Sequence, residues 1–151
     1  MPTSDEMIHE ARERFNIAIE NKNVEIIRSL LAPSYHIVTG RSDQSHGQDE
    51  EANRWSNVFQ SDPTAIYRRT PREITINEAW GIAEELGNWQ GSYTLRHSFA
   101  SQGDALENKI VQASGVYSAK WQRTKNNHWV LQAEVFTTIN FDAACVPPDP
   151  I

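Results

Sequence analysis

Residues 111–139, VQASGVYSAKWQRTKNNHWVLQAEVFTTI, contain two runs rich in β-branched and aromatic side chains, separated by the polar patch Thr124-Lys125-Asn126-Asn127. This pattern predicts a β-hairpin. Side chains alternate across a strand, so Gly115, Tyr117, Ala119 and Trp121 share one face of the first arm, while Gln132, Glu134 and Phe136 share one face of the second. A turn at Lys125-Asn126 or at Asn126-Asn127 brings both sets to the same side of the ribbon, because paired residue numbers then sum to an odd value. Only a bulge or an odd-length loop would separate them. The resulting face holds two large aromatics, a phenol and a carboxylate, the makeup of a small-molecule cavity wall.

A chain of 151 residues suits one domain, expected over residues 1–142, with an extended proline-rich tail at 143–151. Its 38% hydrophobic and 23% charged residues fit a globular protein, and no apolar run approaches the roughly 20 residues of a membrane span. The N-terminal stretch MPTSDEMIHEARERF is charged and periodic, so it reads as a first helix and not as a signal peptide. The single cysteine, Cys145, has no partner for an internal disulfide or a metal cluster, which makes cytoplasmic residence the expectation. A net charge of −6 argues against nucleic-acid and membrane-surface partners, since both favour an excess of Lys and Arg.

Upstream of the hairpin, Thr3 and Glu6 form a capping-box start, and Met7, Ile8, Ala11, Phe15, Ala18 and Ile19 follow at helical spacing. After the Asn21-Lys22-Asn23 break, Asn23 caps a second helix carrying Val24, Ile27, Leu30 and Leu31, which Pro33 is expected to end. Tyr35 to Thr39 reads as a short strand, and residues 40–47 as a polar loop. Ser45 with Gln48 is the expected cap of a third helix bearing Ala52, Trp55, Val58 and Phe59 on one stripe. From there the pattern has period two. Residues 66–70 and 73–77 read as strands split at Pro71, marking an edge, a bulge or a corner. In the run from Ala79 to Leu95, Gly87 is expected to turn or sharply bend the chain. A soft loop is expected at 98–108. Helices first and strands after predict an α+β domain, with three helices packed on a curved, mostly antiparallel sheet.

Phe15-Asn16-Ile17-Ala18-Ile19 with its Asn-Lys-Asn turn, Tyr35-His36-Ile37-Val38-Thr39-Gly40, Gly115-Val116-Tyr117, Ala119-Lys120-Trp121 and Trp129 through Phe136 carry a resemblance. In these stretches, and in element order over nearly the whole chain, the sequence resembles the SnoaL-like members of the cone-shaped superfamily that includes nuclear transport factor 2 and ketosteroid isomerase. The resemblance implies a homodimer and a conical pocket between sheet and helices, in which some relatives do acid-base chemistry and others only bind. Where the isomerases keep a tyrosine in the first helix, this chain has Phe15. Where they keep an aspartate base after the first strand, it reads Thr39-Gly40-Arg41-Ser42-Asp43.

Glu134 lies mid-strand on the expected pocket face, which makes it a candidate general acid or base. A carboxylate tied to an arginine is the competing reading. His36, between Tyr35 and Ile37, is a second candidate for proton transfer, and Tyr117 a candidate hydrogen-bond donor. Trp121, Phe136, Trp89 and Trp55 are candidate ligand-stacking or packing residues. Arg68, Arg69 and Arg72 form a dense positive cluster that alternation divides between the faces, so that one of them, with Arg69 the choice, can enter the cavity and clamp a ligand carboxylate. His9, His46, His97 and His128 make no metal-ligand spacing, and there is no phosphate loop, dinucleotide fingerprint or serine-hydrolase elbow, so neither metal nor cofactor is expected. Three functions remain: a small-molecule-binding protein, a cofactor-free lyase or isomerase, and an oligomerisation module comparable to the association domain of calmodulin-dependent kinase.

Overall fold

The computed structural model describes residues 1–97 and 107–142. The tail at 143–151, Cys145 and most of the expected 98–108 loop lie outside the described residues. Helix α1 (Ser4–Glu20) starts where the capping box places it: the Thr3 side chain accepts from Glu6 N at 3.1 Å. Helix α2 (Val24–Ser29) is capped by Asn23, whose Oδ1 accepts from Ile26 N at 3.2 Å. It stops earlier than its apolar spacing predicted. Leu31 is already in strand β1 (Leu31–Val38), where Leu131 N donates to the Leu30 carbonyl, and Pro33 sits inside that strand at a break in its pairing. Pairing with another strand outweighed helical spacing in so short a helix.

A short strand β2 (Gln44–His46) occupies the end of the expected polar loop and pairs with β1, Ser45 lying opposite Ile37. Ser45 is therefore a strand residue and not the cap of helix α3 (Gln48–Ser61), which begins at Gly47 with φ +95°. Gln48 instead donates to the carbonyls of Arg28 and Leu31, tying α3 to the end of α2. The apolar stripe of α3 puts Ala52, Trp55 and Phe59 into the core.

Strands β3 (Ile66–Asn77), β4 (Ile82–His97), β5 (Glu107–Arg123) and β6 (Trp129–Asp142) complete a six-stranded sheet of order β2-β1-β6-β5-β4-β3. Every pairing is antiparallel except β1 with β6. The two expected segments around Pro71 are one edge strand with a bulge between Pro71 and Glu73, the position alternation tolerates for a residue lacking an N–H. Gly87 is not a turn. The β3–β4 turn falls at residues 78–81, with Gly81 at φ +64°, and Gly87 lies mid-strand opposite Tyr117. A Cβ there would sit 2.5 Å from both the Thr70 carbonyl oxygen and the Tyr117 hydroxyl, so the glycine leaves room for the phenol to lie across it.

The β5–β6 hairpin departs from both expected turns. Arg123 pairs with Trp129 around a five-residue loop, which gives an even register sum, and a bulge between the Lys120–Ala133 and Trp121–Leu131 pairs then restores the odd one. Tyr117 thus faces the same side as its partner Phe136, and Ala119 the same side as Glu134. The extra residue moves Gln132 off this face, and Leu131, fully buried, takes the place the alternation assigned to it.

Candidate functional site

Two regions lie side by side beneath the helices, one filled and one hollow. The filled one is a buried ion cluster. Arg12 enters from α1 and donates from Nε and Nη2 to Glu85 at 2.9–3.1 Å, and from Nη2 to Glu134 at 2.9 Å. All three side chains are 1% exposed or less. Trp121 Nε1 donates to Glu85 at 2.7 Å, the Tyr117 hydroxyl donates to the same carboxylate, and the Tyr35 hydroxyl donates to Glu134 at 2.7 Å. Burial works against a charged guanidinium, but Glu134 and Glu85 outweigh it and hold Arg12 above its ordinary value. Burial likewise pushes the Glu85 carboxyl up. Arg12, by its charge and its hydrogen bonds, and the Tyr117 and Trp121 donors reverse this, and its proton affinity falls below the usual carboxylate range. Desolvation together with the neighbouring carboxylates raises the phenols of Tyr35 and Tyr117 well above theirs. These two phenols are therefore fixed as neutral donors.

Glu134 and Tyr117 face the interior as expected, yet neither side chain is open to a substrate. Glu134 is tied to Arg12 and Tyr35, the alternative that the sequence left open, and Tyr117 is 3% exposed against Glu85. Trp121, named as a ligand residue, is fully buried with its indole committed to Glu85, so it belongs to this filled region. His36 is on the wrong side of the sheet for the role suggested for it. Tyr35 and Ile37 point inward, so alternation turns His36 outward, where its Nδ1 lies 3.3 Å from that of His46.

The hollow region is a cavity of about 820 Å³ between helix α3 and the sheet. Its walls include Trp55 and Val58 from α3, Tyr67 and Arg69 from β3, Trp89 and Tyr93 from β4, and Phe136, Thr138 and Phe141 from β6. Residues 39–43, leading into β2, form part of its rim and bring Arg41 and Asp43. Cross-strand pairing explains the placement. Arg69 stands opposite Trp89, Trp89 opposite Gly115, and Tyr67 opposite Gly91, so each aromatic next to a glycine can lean across it. At Gly91 a Cβ would come within 2.7 Å of the Tyr67 ring, and at Gly115 within 2.9 Å of the Trp89 indole nitrogen. Four of the expected ligand residues, Trp55, Arg69, Trp89 and Phe136, therefore meet at one cavity.

Arg69 is 5% exposed, and its backbone is pinned by Asn16, which accepts from Arg69 N at 2.9 Å and donates to its carbonyl at 2.8 Å. Its guanidinium lies 5.0–5.3 Å from the ring centres of Phe15, Trp55 and Phe136. Burial, with Arg12 adding to it against the pull of Glu134, lowers its proton affinity below the ordinary arginine value. Among the described residues it makes no ion pair within 4.0 Å, its Nε has no hydrogen-bond partner, and Nη1 reaches only the Tyr67 carbonyl at 3.4 Å. Arg68, on the opposite face, pairs with Glu13 and Glu20 as alternation anticipates. Arg54, also at the cavity, spends two donors on buried Glu51.

Arg12 and Asn16 escaped the sequence reading, although a signal was present. Both fall on the stripe of Ile8, Ala11, Phe15 and Ile19, and a charge or amide on the apolar face of a helix requires a buried partner. No group of three or more metal-ligating side chains occurs among the described residues, and no helix there is long and apolar enough to cross a membrane.

The architecture is the nuclear transport factor 2-like, cystatin-like α+β fold. Among solved structures, a type 2 hexachlorocyclohexane dehydrochlorinase, LinA, superposes with a TM-score of 0.76 at 13% identity, covering 96% of this chain and 94% of its own. A nuclear transport factor 2-like protein from Salmonella enterica serovar Typhimurium gives 0.69 at 15% identity, over 88% and 89% of the two chains. A ketosteroid isomerase-like protein from Erwinia carotovora atroseptica gives 0.61 at 14% identity, over 89% and 95%. Identities this low establish the fold alone. No known family profile matches the sequence, and no curated protein does either.

Proposed function

We propose that the chain is a small-molecule-binding protein whose ligand lies in the cone between Trp55, Trp89, Phe136 and Arg69. The observation that carries this reading is the hollow itself. A cavity of about 820 Å³ lies within the roughly 300–1,000 Å³ range of ligand sites, and apolar walls around a few polar groups are their usual composition. The neighbouring ion cluster supports the reading from the other side, because Glu134, Tyr117 and Trp121 are committed to it and do not line the cavity. The test is thermal denaturation of wild type and Ala113→Trp, which fills the cavity from β5, against a library of small apolar compounds. A ligand at 100 times its Kd contributes about 2.7 kcal/mol, or roughly 5–10 °C for a chain of this size. Shifts in wild type that vanish in the filled variant are expected. Shifts equal in both, or none in either, would remove the proposal.

A cofactor-free lyase or isomerase is the second reading, and Asp43 favours it. With Glu134 and Tyr117 in the ion cluster and His36 on the outer face, Asp43 is the carboxylate the described residues place at the cavity, in the stretch where the resemblance implied a base. Asp43→Asn would abolish turnover if that reading holds and leave ligand binding intact if the first does. We also propose a cytoplasmic homodimer. Val116 and Val135, 40% and 47% exposed on the outward face of β5 and β6, support a partner there, and light scattering measures it.

A further inference from the structure

We infer that the molecule this cavity takes is a planar apolar anion, its charged end meeting Arg69; the inference rests on the pocket reading above and narrows it to a chemical class. Charge comes first. The chain carries −6 overall, yet the charged side chains that the described residues bring to the cavity are Arg41, Arg54 and Arg69 against Asp43 alone. Discounting Arg54, which Glu51 neutralises, the wall still balances Arg41 and Arg69 against one carboxylate. The lining thus carries a local excess of arginine in an acidic protein, and Glu134, the acid that acts on Arg69 through space, is itself hydrogen-bonded to Arg12 and Tyr35.

Hydrogen bonding points the same way. Arg69 is buried, directly bonded to no carboxylate among the described residues, and has an unpartnered Nε. The rings of Phe15, Trp55 and Phe136 attract its charge but offer no lone pairs to the planar N–H fork. Trp55, beside it in the same wall, also leaves its Nε1 donor unpaired. Two orphaned donors at one place call for acceptors, and a carboxylate supplies them in the geometry a guanidinium matches. Trp89 and Tyr67 then provide flat apolar surface for the rest of the molecule.

Isothermal titration with paired probes tests this on the intact chain: benzoate and benzamide, 2-naphthoate and 2-naphthamide, 1-pyrenecarboxylate and its amide. Each pair keeps the ring and removes the charge. At least one carboxylate is expected to bind wild type about tenfold or more tighter than its amide, and Arg69→Gln is expected to erase that ratio by weakening the carboxylate far more than the amide. Arg69→Lys, which keeps the charge and loses the fork, should retain part of it. Amides that bind as well as carboxylates would overturn the anion assignment and leave the pocket reading standing. No binding by any member of any pair would overturn both. A ratio that survives in folded Arg69→Gln would overturn the role of Arg69, and if that variant does not fold, the Arg69→Lys and wild-type ratios decide.

Discussion

Arg12→Met is the perturbation that discriminates most sharply between a cluster held together by Arg12 and an incidental one. The substitution keeps much of the side-chain volume under Tyr117 and Trp121 but deletes the cation, along with three hydrogen bonds to Glu85 and one to Glu134. Breaking a buried ion pair from one side costs about 3–5 kcal/mol, because the partner is left charged and uncompensated. Against a total stability of about 5–15 kcal/mol this is a large fraction, equivalent to a fall of roughly 6–20 °C in Tm. The pH dependence carries the sharper signature. In wild type the Glu85 carboxyl is held below its ordinary value, so its contribution is present above pH 4.5 and is lost as pH falls through the depressed folded value. Without Arg12, burial dominates and the folded carboxyl takes up a proton more readily than the unfolded one. The variant must then lose stability as pH rises, and its deficit should be larger at pH 8 than at pH 5. Urea denaturation at the two pH values measures this. A variant within about 1 kcal/mol of wild type at both would refute the claim that Arg12 holds the buried Glu85 carboxylate in its charged form.

Four further outcomes follow from the same geometry. Wild type should be acid-labile below pH 4.5, and Glu85→Gln should lose this pH dependence while being less stable at neutral pH, as read by circular dichroism. Trp121→Phe removes one donor to a charged acceptor and should cost about 1.5–3 kcal/mol in denaturant titration, with ligand binding unchanged. Gly87→Ala forces a methyl against the Tyr117 hydroxyl and the Thr70 carbonyl, and should lower stability by about 1–3 kcal/mol. His36→Ala should leave the affinity of any cavity ligand unaltered, since the imidazole lies on the far side of the sheet; a tenfold loss in titration calorimetry would show that the face assignment is wrong.

Much of the framework was legible because local chemistry and tertiary structure agree. Thr3 and Asn23 cap the helices their spacing assigned to them, and Pro71 marks a bulge on an edge strand because it has no N–H to give. The failures share a cause: the deciding partner is far along the chain. Leu31 has helical spacing, but β6 recruits its neighbourhood into a strand; Gly87 looks like a turn residue until Tyr117 is laid across it. In the hairpin, a five-residue loop and a bulge each shift the parity, and the two shifts cancel for Glu134 and Phe136 but not for Gln132. His36 is different. Its flanking residues Tyr35 and Ile37 already indicated by alternation that the imidazole and the buried phenol take opposite faces. For the cavity, Arg69, Trp89, Trp55 and Phe136 were nameable by residue type, whereas the division of the interior into a filled ion cluster and a hollow depended on Arg12, a single charged residue on an otherwise apolar stripe.

A crystal structure grown with 2-naphthoate tests the central claim most directly. Density for the ring against Trp89 and Tyr67, with the carboxylate in contact with the Arg69 guanidinium and the Arg12 cluster unchanged, is the predicted result. A cavity closed by inward rotation of Trp55 and Phe136, with Arg69 drawn onto a protein carboxylate, would contradict it.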